Sequence, residues 1–180
     1  MNPGRKAGRL ASGVLAAHWM LLAPAPAQAG SWTPKDLQVL GRAMAFLLPP
    51  PGPGTVVAVA YSASDDASRR DAEAVAAAMS DGLRVGNVRV PLKVVDTATV
   101  AAGGYRVVIA AQGVASPTLS NAVRAGHSLC VTTEQEVVQA GLCTMAIRSE
   151  PRVDILVNHA VAAADGVEFA AAFRMMIREF

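Results

Sequence analysis

Aromatic side chains are scarce in this chain: four phenylalanines, two tryptophans and two tyrosines stand among 180 residues. A core assembled from large rings is therefore excluded. Small aliphatic layers have to build it instead, and alanine and valine are plentiful. Such a composition suits a parallel sheet covered by alanine-rich helices. Cysteine is nearly absent, with Cys130 and Cys143 alone. Of the three histidines, only His127 and His159 lie beyond the first 29 residues. No helix-compatible apolar run reaches the roughly 20 residues that a membrane-spanning helix needs.

The first residues carry a targeting pattern. Arg5, Lys6 and Arg9 precede an uncharged apolar run over residues 10–22. Ala23-Pro24-Ala25-Pro26 breaks any helix, and Ala27-Gln28-Ala29 offers the small residues a signal peptidase requires. This order predicts a cleaved secretory signal over residues 1–29 and a periplasmic location. The run is too short for an anchor, and no lipobox cysteine lies near the cleavage site. Residues 30–180 then form a single α/β domain, long enough for one core. The signal holds three basic and no acidic residues, so its removal takes the net charge from +2 to −1. A chain of that charge has no field to attract nucleic acid or an anionic membrane surface. Neither nucleic acid binding nor membrane insertion is expected.

Local patterns predict the elements. Thr33-Pro34-Lys35-Asp36 starts a helix, with Leu37, Leu40, Met44 and Leu47 at helical spacing. Pro49-Pro50-Pro51-Gly52-Pro53-Gly54 stops it. Residues 55–61 read as a buried strand, and Ser64-Asp65-Asp66 caps a helix running to about Ser80. Residues 87–96 read as one alternating strand, followed by a short helix near residues 98–102. Strands are expected over 105–111 and 128–131, with helices from Ser116-Pro117 to Gly126 and over 133–140 between and after them. Residues 142–148 and 152–157 have hairpin spacing around Ser149-Glu150-Pro151. The end reads as helical, interrupted near Asp165-Gly166. The expected fold is a three-layer Rossmann-like mixed sheet, mostly parallel with a late antiparallel hairpin.

A search for chemistry returns no catalytic set. Pro51-Gly52-Pro53-Gly54 precedes a strand, whereas a phosphate-cradling loop must follow one and open a helix. The loop after the first strand has no glycine and two carboxylates, Asp65 and Asp66. There is no Gly-x-Ser-x-Gly elbow. His127 and His159 read as turn or helix-end residues without a nucleophile beside them. Asp154, between Val153 and Ile155, is expected to face solvent, and Arg148 and Arg152 to pair with Glu150 or Asp154. A metal site from His127, Cys130, Cys143 and His159 competes with a disulfide for the same sulfurs. In an oxidising compartment an even pair favours the bridge, so a Cys130–Cys143 disulfide is expected, with no metal and no cofactor.

Two surfaces are candidates for binding. Phe169, Phe173, Met176, Ile177 and Phe180 fall on one helical stripe. That stripe either packs on its own sheet or, with Phe173, Met175, Met176 and Phe180, forms a dimer or partner surface. At the carboxyl ends of the strands, Ser62, Ser64, Asp65, Gln112, Ser116 and Thr132 make an edge of small polar groups. They serve either as helix caps or as contacts for a polar metabolite.

The last third of the chain resembles the YfiR-like family of periplasmic proteins. The matching elements are Cys130-Val131-Thr132, Gly141, Met145-Ala146-Ile147, Arg152-Val153-Asp154-Ile155, Asn158, the alanines of residues 160–164, Gly166, and Phe169 onward. Cys143 falls where some members place a disulfide cysteine. The chain departs from the pattern at the single Gly141, at Leu156-Val157 and at Phe46-Leu47-Leu48-Pro49-Pro50. The resemblance implies a non-enzymatic, dimeric regulator that binds the sensory domain of an inner-membrane diguanylate cyclase. It would thereby repress cyclic-di-GMP output and biofilm formation. The alternative expectation is a periplasmic small-molecule binder resembling one lobe of a transporter substrate-binding protein.

Overall fold

The computed structural model describes Met1 and residues 31–180, so the expected signal over residues 1–29, apart from Met1, lies outside the described residues. The first helix, α1 (Pro34–Met44), begins where the sequence predicts. The Thr33 hydroxyl accepts from the Asp36 amide, and the Asp36 carboxylate accepts from the Thr33 amide at 2.9 Å. This reciprocal cap satisfies donors that the first turn leaves open. The helix buries Leu37, Leu40 and Met44 and leaves Gln38 and Arg42 exposed.

Strand β1 (Val57–Tyr61) leads to α2 (Asp66–Ala78), which Asp65 caps through the Ala67 amide. The expected strand over 87–96 is in fact two. β2 (Leu83–Val85) and β3 (Val88–Val90) form a separate antiparallel hairpin, and β4 (Leu92–Asp96) joins the main sheet beside β1. Pro91 explains the break, because it has no N–H to donate to a continuing ladder. The hairpin turns on Gly86-Asn87, with Gly86 at φ 57°, a conformation that glycine adopts without steric cost.

A 3-10 turn at Thr97–Ala102 precedes β5 (Val107–Ala110). Then come α3 (Pro117–Ala125), β6 (Leu129–Thr132), the short α4 (Gln135–Gln139) and β7 (Met145–Arg148). The hairpin partner β8 (Asp154–Val157) runs antiparallel to β7, as its spacing predicts. The helix α5 (His159–Asp165) follows, capped by the Asn158 side chain and closed by Gly166.

The expected helical stripe at the end does not form. Phe169 makes an isolated bridge to Leu47, α6 (Ala171–Arg174) lasts four residues, and β9 (Arg178–Glu179) pairs parallel with β8. The edge of β8 offers unpaired backbone groups, and meeting them outweighs one helical periodicity.

The seven-stranded sheet has the order β4-β1-β5-β6-β7-β8-β9, parallel throughout except for the β7–β8 pair. This is the Rossmann-like mixed α/β sheet expected. α3 packs with the 3-10 turn and α5, while α1 packs on β7 and the β2–β3 hairpin. β1, β5 and β6 are buried along their length except at Tyr61, which matches their continuous apolar runs. No helix among the described residues is long and apolar enough to cross a membrane.

Candidate functional site

The chain moves from β1 to one side of the sheet and from β5 to the other. The crevice between these strand ends is the switch point where open α/β sheets place ligands. Ser62 follows β1 and Gln112 follows β5, so the topology brings this part of the predicted edge to one place. The local bonding then fills it. Ser62 and Ser64 hydroxyls bond each other at 2.9 Å, and the Ser62 amide donates to Ser68 Oγ at 3.0 Å. Asp65 is committed to its cap. Ser116 caps α3 through the Leu119 amide, and Thr132 Oγ1 accepts from the Glu134 amide.

Groups from elsewhere close the crevice further. The Gln112 amide donates to Asp71 Oδ2 at 2.8 Å, and the Gly113 amide to Glu134 Oε1 at 3.3 Å. Trp32 Nε1 donates to the Ala110 carbonyl at 3.1 Å, laying the indole over the end of β5. The strand-end residues therefore serve mainly as caps and closures. Sequence reading passed over Trp32, whose place just before the Thr33 cap was the available signal.

The C-terminal candidates divide. Phe173 is buried, stacked on Phe46 with centroids 5.3 Å apart and tilted against Phe169 at 5.1 Å. It belongs to the core and leaves the predicted surface, because the chain folds back at α6 instead of continuing as a helix. Met175, Met176 and Phe180 are exposed at 88%, 62% and 54%, and Val153 at 54%. They lie around β9, the last strand of the sheet. Two arginines beside them are paired within the chain. Arg178 grips Asp154 with contacts of 2.9 and 2.7 Å, and Arg174 holds Glu179 at 3.0 Å. The hydrogen bond from Arg178 is the main reason the Asp154 carboxyl stays below its ordinary value. Asp154 thus pairs with Arg178 and Gln135 rather than with its hairpin neighbours Arg148 and Arg152. Arg148 donates to the Thr133 carbonyl, and Glu150 meets Lys35.

Cys130 and Cys143 are joined as a disulfide, with Cα atoms 5.0 Å apart, and both are buried. The sulfurs of the metal candidate are thereby consumed. Beside the bridge runs a polar network that the sequence did not announce. The Cys130 amide donates to Thr144 Oγ1 at 3.3 Å, and Thr144 Oγ1 donates to Asp165 Oδ2 at 2.8 Å. Arg124 approaches the other carboxylate oxygen at 3.6 Å, beyond hydrogen-bond reach. Asp165 is buried. Its desolvation raises the carboxyl above its ordinary value, against the pull of Thr144, Arg124 and His127. His127 sits at a positive-φ turn against Gly166, and His159 lies exposed at the start of α5.

No protein-family model matches the chain, and no curated protein does. Among solved structures, the chain is similar to the ABC domain in complex with L-Trp from Streptococcus pneumoniae, with a TM-score of 0.53 and 9% identity. The similarity covers 81% of this chain and 59% of that one, so this chain spans about three fifths of its neighbour's length. At that identity the likeness is one of fold.

Proposed function

We propose that this chain is a periplasmic, non-enzymatic regulator that applies its C-terminal surface to the sensory domain of an inner-membrane signalling protein. In this reading the partner is a diguanylate cyclase, and binding favours its inactive state. The observation that carries the reading is the exposure of Met175, Met176, Phe180 and Val153, each more than half exposed, along the β8–β9 edge. Exposed apolar side chains mark contact surfaces when they gather on one face, and methionine adapts to a partner's shape. Two adjoining ion pairs are closed within the chain, which leaves the exposed apolar side chains as the main contact groups. The resemblance of residues 128–176 to the YfiR-like family supports the same partner class. The buried disulfide and the lack of a membrane-spanning helix among the described residues fit an exported location. Repression requires tighter binding to the partner's inactive state than to its active one.

A second reading draws on the fold neighbour, a domain seen with L-Trp, and makes this chain a small-molecule binder. The closure of the switch point by Trp32, Asp71 and Glu134 counts against a ligand at that place.

The test is cellular cyclic-di-GMP in a deletion strain, complemented with the exported wild type or with a Met175→Asp/Met176→Asp variant. Deletion is expected to raise the level, and only the wild type to restore it at equal secreted amounts. An unchanged level on deletion, or full rescue by the variant, overturns the proposal. Rescue failure together with loss of a homodimer by the variant would assign the surface to a second copy instead.

A further inference from the structure

A cleft between α1 and the β2–β3 hairpin plays no part in the surface described above. It holds about 450 Å³, within the range of small-molecule sites. Arg42 from the helix and Arg84 and Arg89 from the hairpin line it, together with Gln38. Met79 contributes half-buried apolar lining above the buried Leu37, and no carboxylate lines the cleft.

The arginines are arranged against the interest of the free fold. Arg84 and Arg89 are direct cross-strand partners, both exposed. Like charges at such positions destabilise a hairpin. Most arginines elsewhere in the described residues have partners, Arg70 and Arg152 excepted. Arg69 lies over the Tyr61 ring, Arg106 donates to the Pro49 carbonyl, and Arg124, Arg174 and Arg178 meet carboxylates. The side chains of Arg42, Arg84 and Arg89 have no hydrogen bond or ion pair among the described residues.

The walls of the cleft are also held in place. A Cβ at Gly41 would sit 2.4 Å from the Arg84 carbonyl oxygen, so the hairpin rests on bare helix backbone there. That close approach fixes the strand carrying Arg84 beside the helical turn carrying Arg42. Backbone already fixed before binding has less order to lose when a ligand arrives.

We infer that this cleft binds a small organic anion with two or more negative charges. Arg42, Arg84 and Arg89 hold its oxyanions, and its carbon body lies against Met79. Guanidinium forks match carboxylate and phosphate oxygens alike, and a bound anion relieves the Arg84–Arg89 repulsion.

The experiment is thermal unfolding of the exported protein at constant ionic strength set with sodium chloride. Citrate and inorganic phosphate are titrated separately. At an anion concentration tenfold above Kd, Tm is expected to rise by about 3 to 6 °C. A rise with citrate assigns carboxylate chemistry, and a rise with phosphate alone assigns phosphate chemistry. The Arg84→Gln/Arg89→Gln variant is expected to melt no lower than wild type without anion and to lose the shift. Arg42→Gln, on the exposed face of α1, gives the same reading if the hairpin variant fails to fold. Absence of any shift in wild type overturns the inference. A shift of equal size in the variants also overturns it, because a general salt effect would then suffice.

Discussion

Phe46 and Phe173 stack with ring planes 19° apart, joining the end of the first helix to the end of the chain. Phe169 completes the group, so three of the four phenylalanines make one cluster. The backbone supports it, with the Leu48 amide donating to the Glu168 carbonyl and the Ala170 amide to the Phe46 carbonyl. In a core made mostly of aliphatic side chains, these rings anchor the C-terminal segment. Phe173→Ala is expected to cost about 3–5 kcal/mol, the range for emptying a buried aromatic site. Urea denaturation measures it. A loss below about 1 kcal/mol would mean that residues 169–180 dock without the cluster.

The neighbouring methionines should behave in the opposite way. Met175 and Met176 are mostly exposed, and their replacement by aspartate removes little buried area. Stability is expected to change by no more than about 0.5 kcal/mol, as for other surface sites. The same denaturation assay, run beside Phe173→Ala, separates surface from core. A large loss in the methionine variants would place these side chains in a fold-supporting contact and remove the basis of the partner surface.

The disulfide closes a short loop, with 13 residues of sequence separation between Cys130 and Cys143. Constraint of the unfolded chain by a loop of that size is worth roughly 3 kcal/mol. Cys143→Ala is expected to lose about that much. Thiol labelling of the denatured, unreduced wild type should find no free cysteine. Two labelled thiols would show that the protein does not carry the bridge.

Much of this architecture was legible in the sequence because the local signals agree with one another. Thr33-Pro34 and Asp36 start α1, the apolar runs give β1, β5 and β6, and Ser149-Glu150-Pro151 separates an antiparallel pair. The failures arise where tertiary partners override a local period. Val88, Val90, Leu92 and Val94 alternate without interruption, yet Pro91 divides them between two sheets. Phe169 to Phe180 keep a helical spacing, yet the open side of β8 draws Arg178 and Glu179 into the sheet. Ser62 and Gln112 do follow β1 and β5 at the switch point, as strand order predicts. What occupies the crevice was not legible, since Trp32, Asp71 and Glu134 come from three distant elements. Asp165 was invisible for the same reason, because its burial depends on α3, β6 and α5 meeting around the disulfide.

Two buried aspartates give pH dependences of opposite sign. Burial works against the charged form of Asp36, but hydrogen bonds from Ser149 and Thr33 outweigh it and lower its carboxyl below the ordinary value. Its contribution is therefore present above the ordinary carboxyl range and is lost as pH falls through the lowered folded value. For Asp165, desolvation prevails and the folded value is raised. Its contribution is full below the ordinary range and is lost as pH rises through the raised value. Asp36→Asn is thus expected to cost about 1–2 kcal/mol at pH 7, with the gap closing in acid. Asp165→Asn keeps an acceptor for Thr144 and removes the buried charge. It is expected to gain about 1 kcal/mol at pH 7, and that gain should shrink as pH falls and wild-type Asp165 takes up its proton. Urea midpoints of wild type and both variants at pH 7 and near pH 4 decide the matter. If Asp165→Asn destabilises at pH 7 as Asp36→Asn does, the Arg124 and Thr144 contacts outweigh desolvation, and the buried carboxylate supports the disulfide region as an ion.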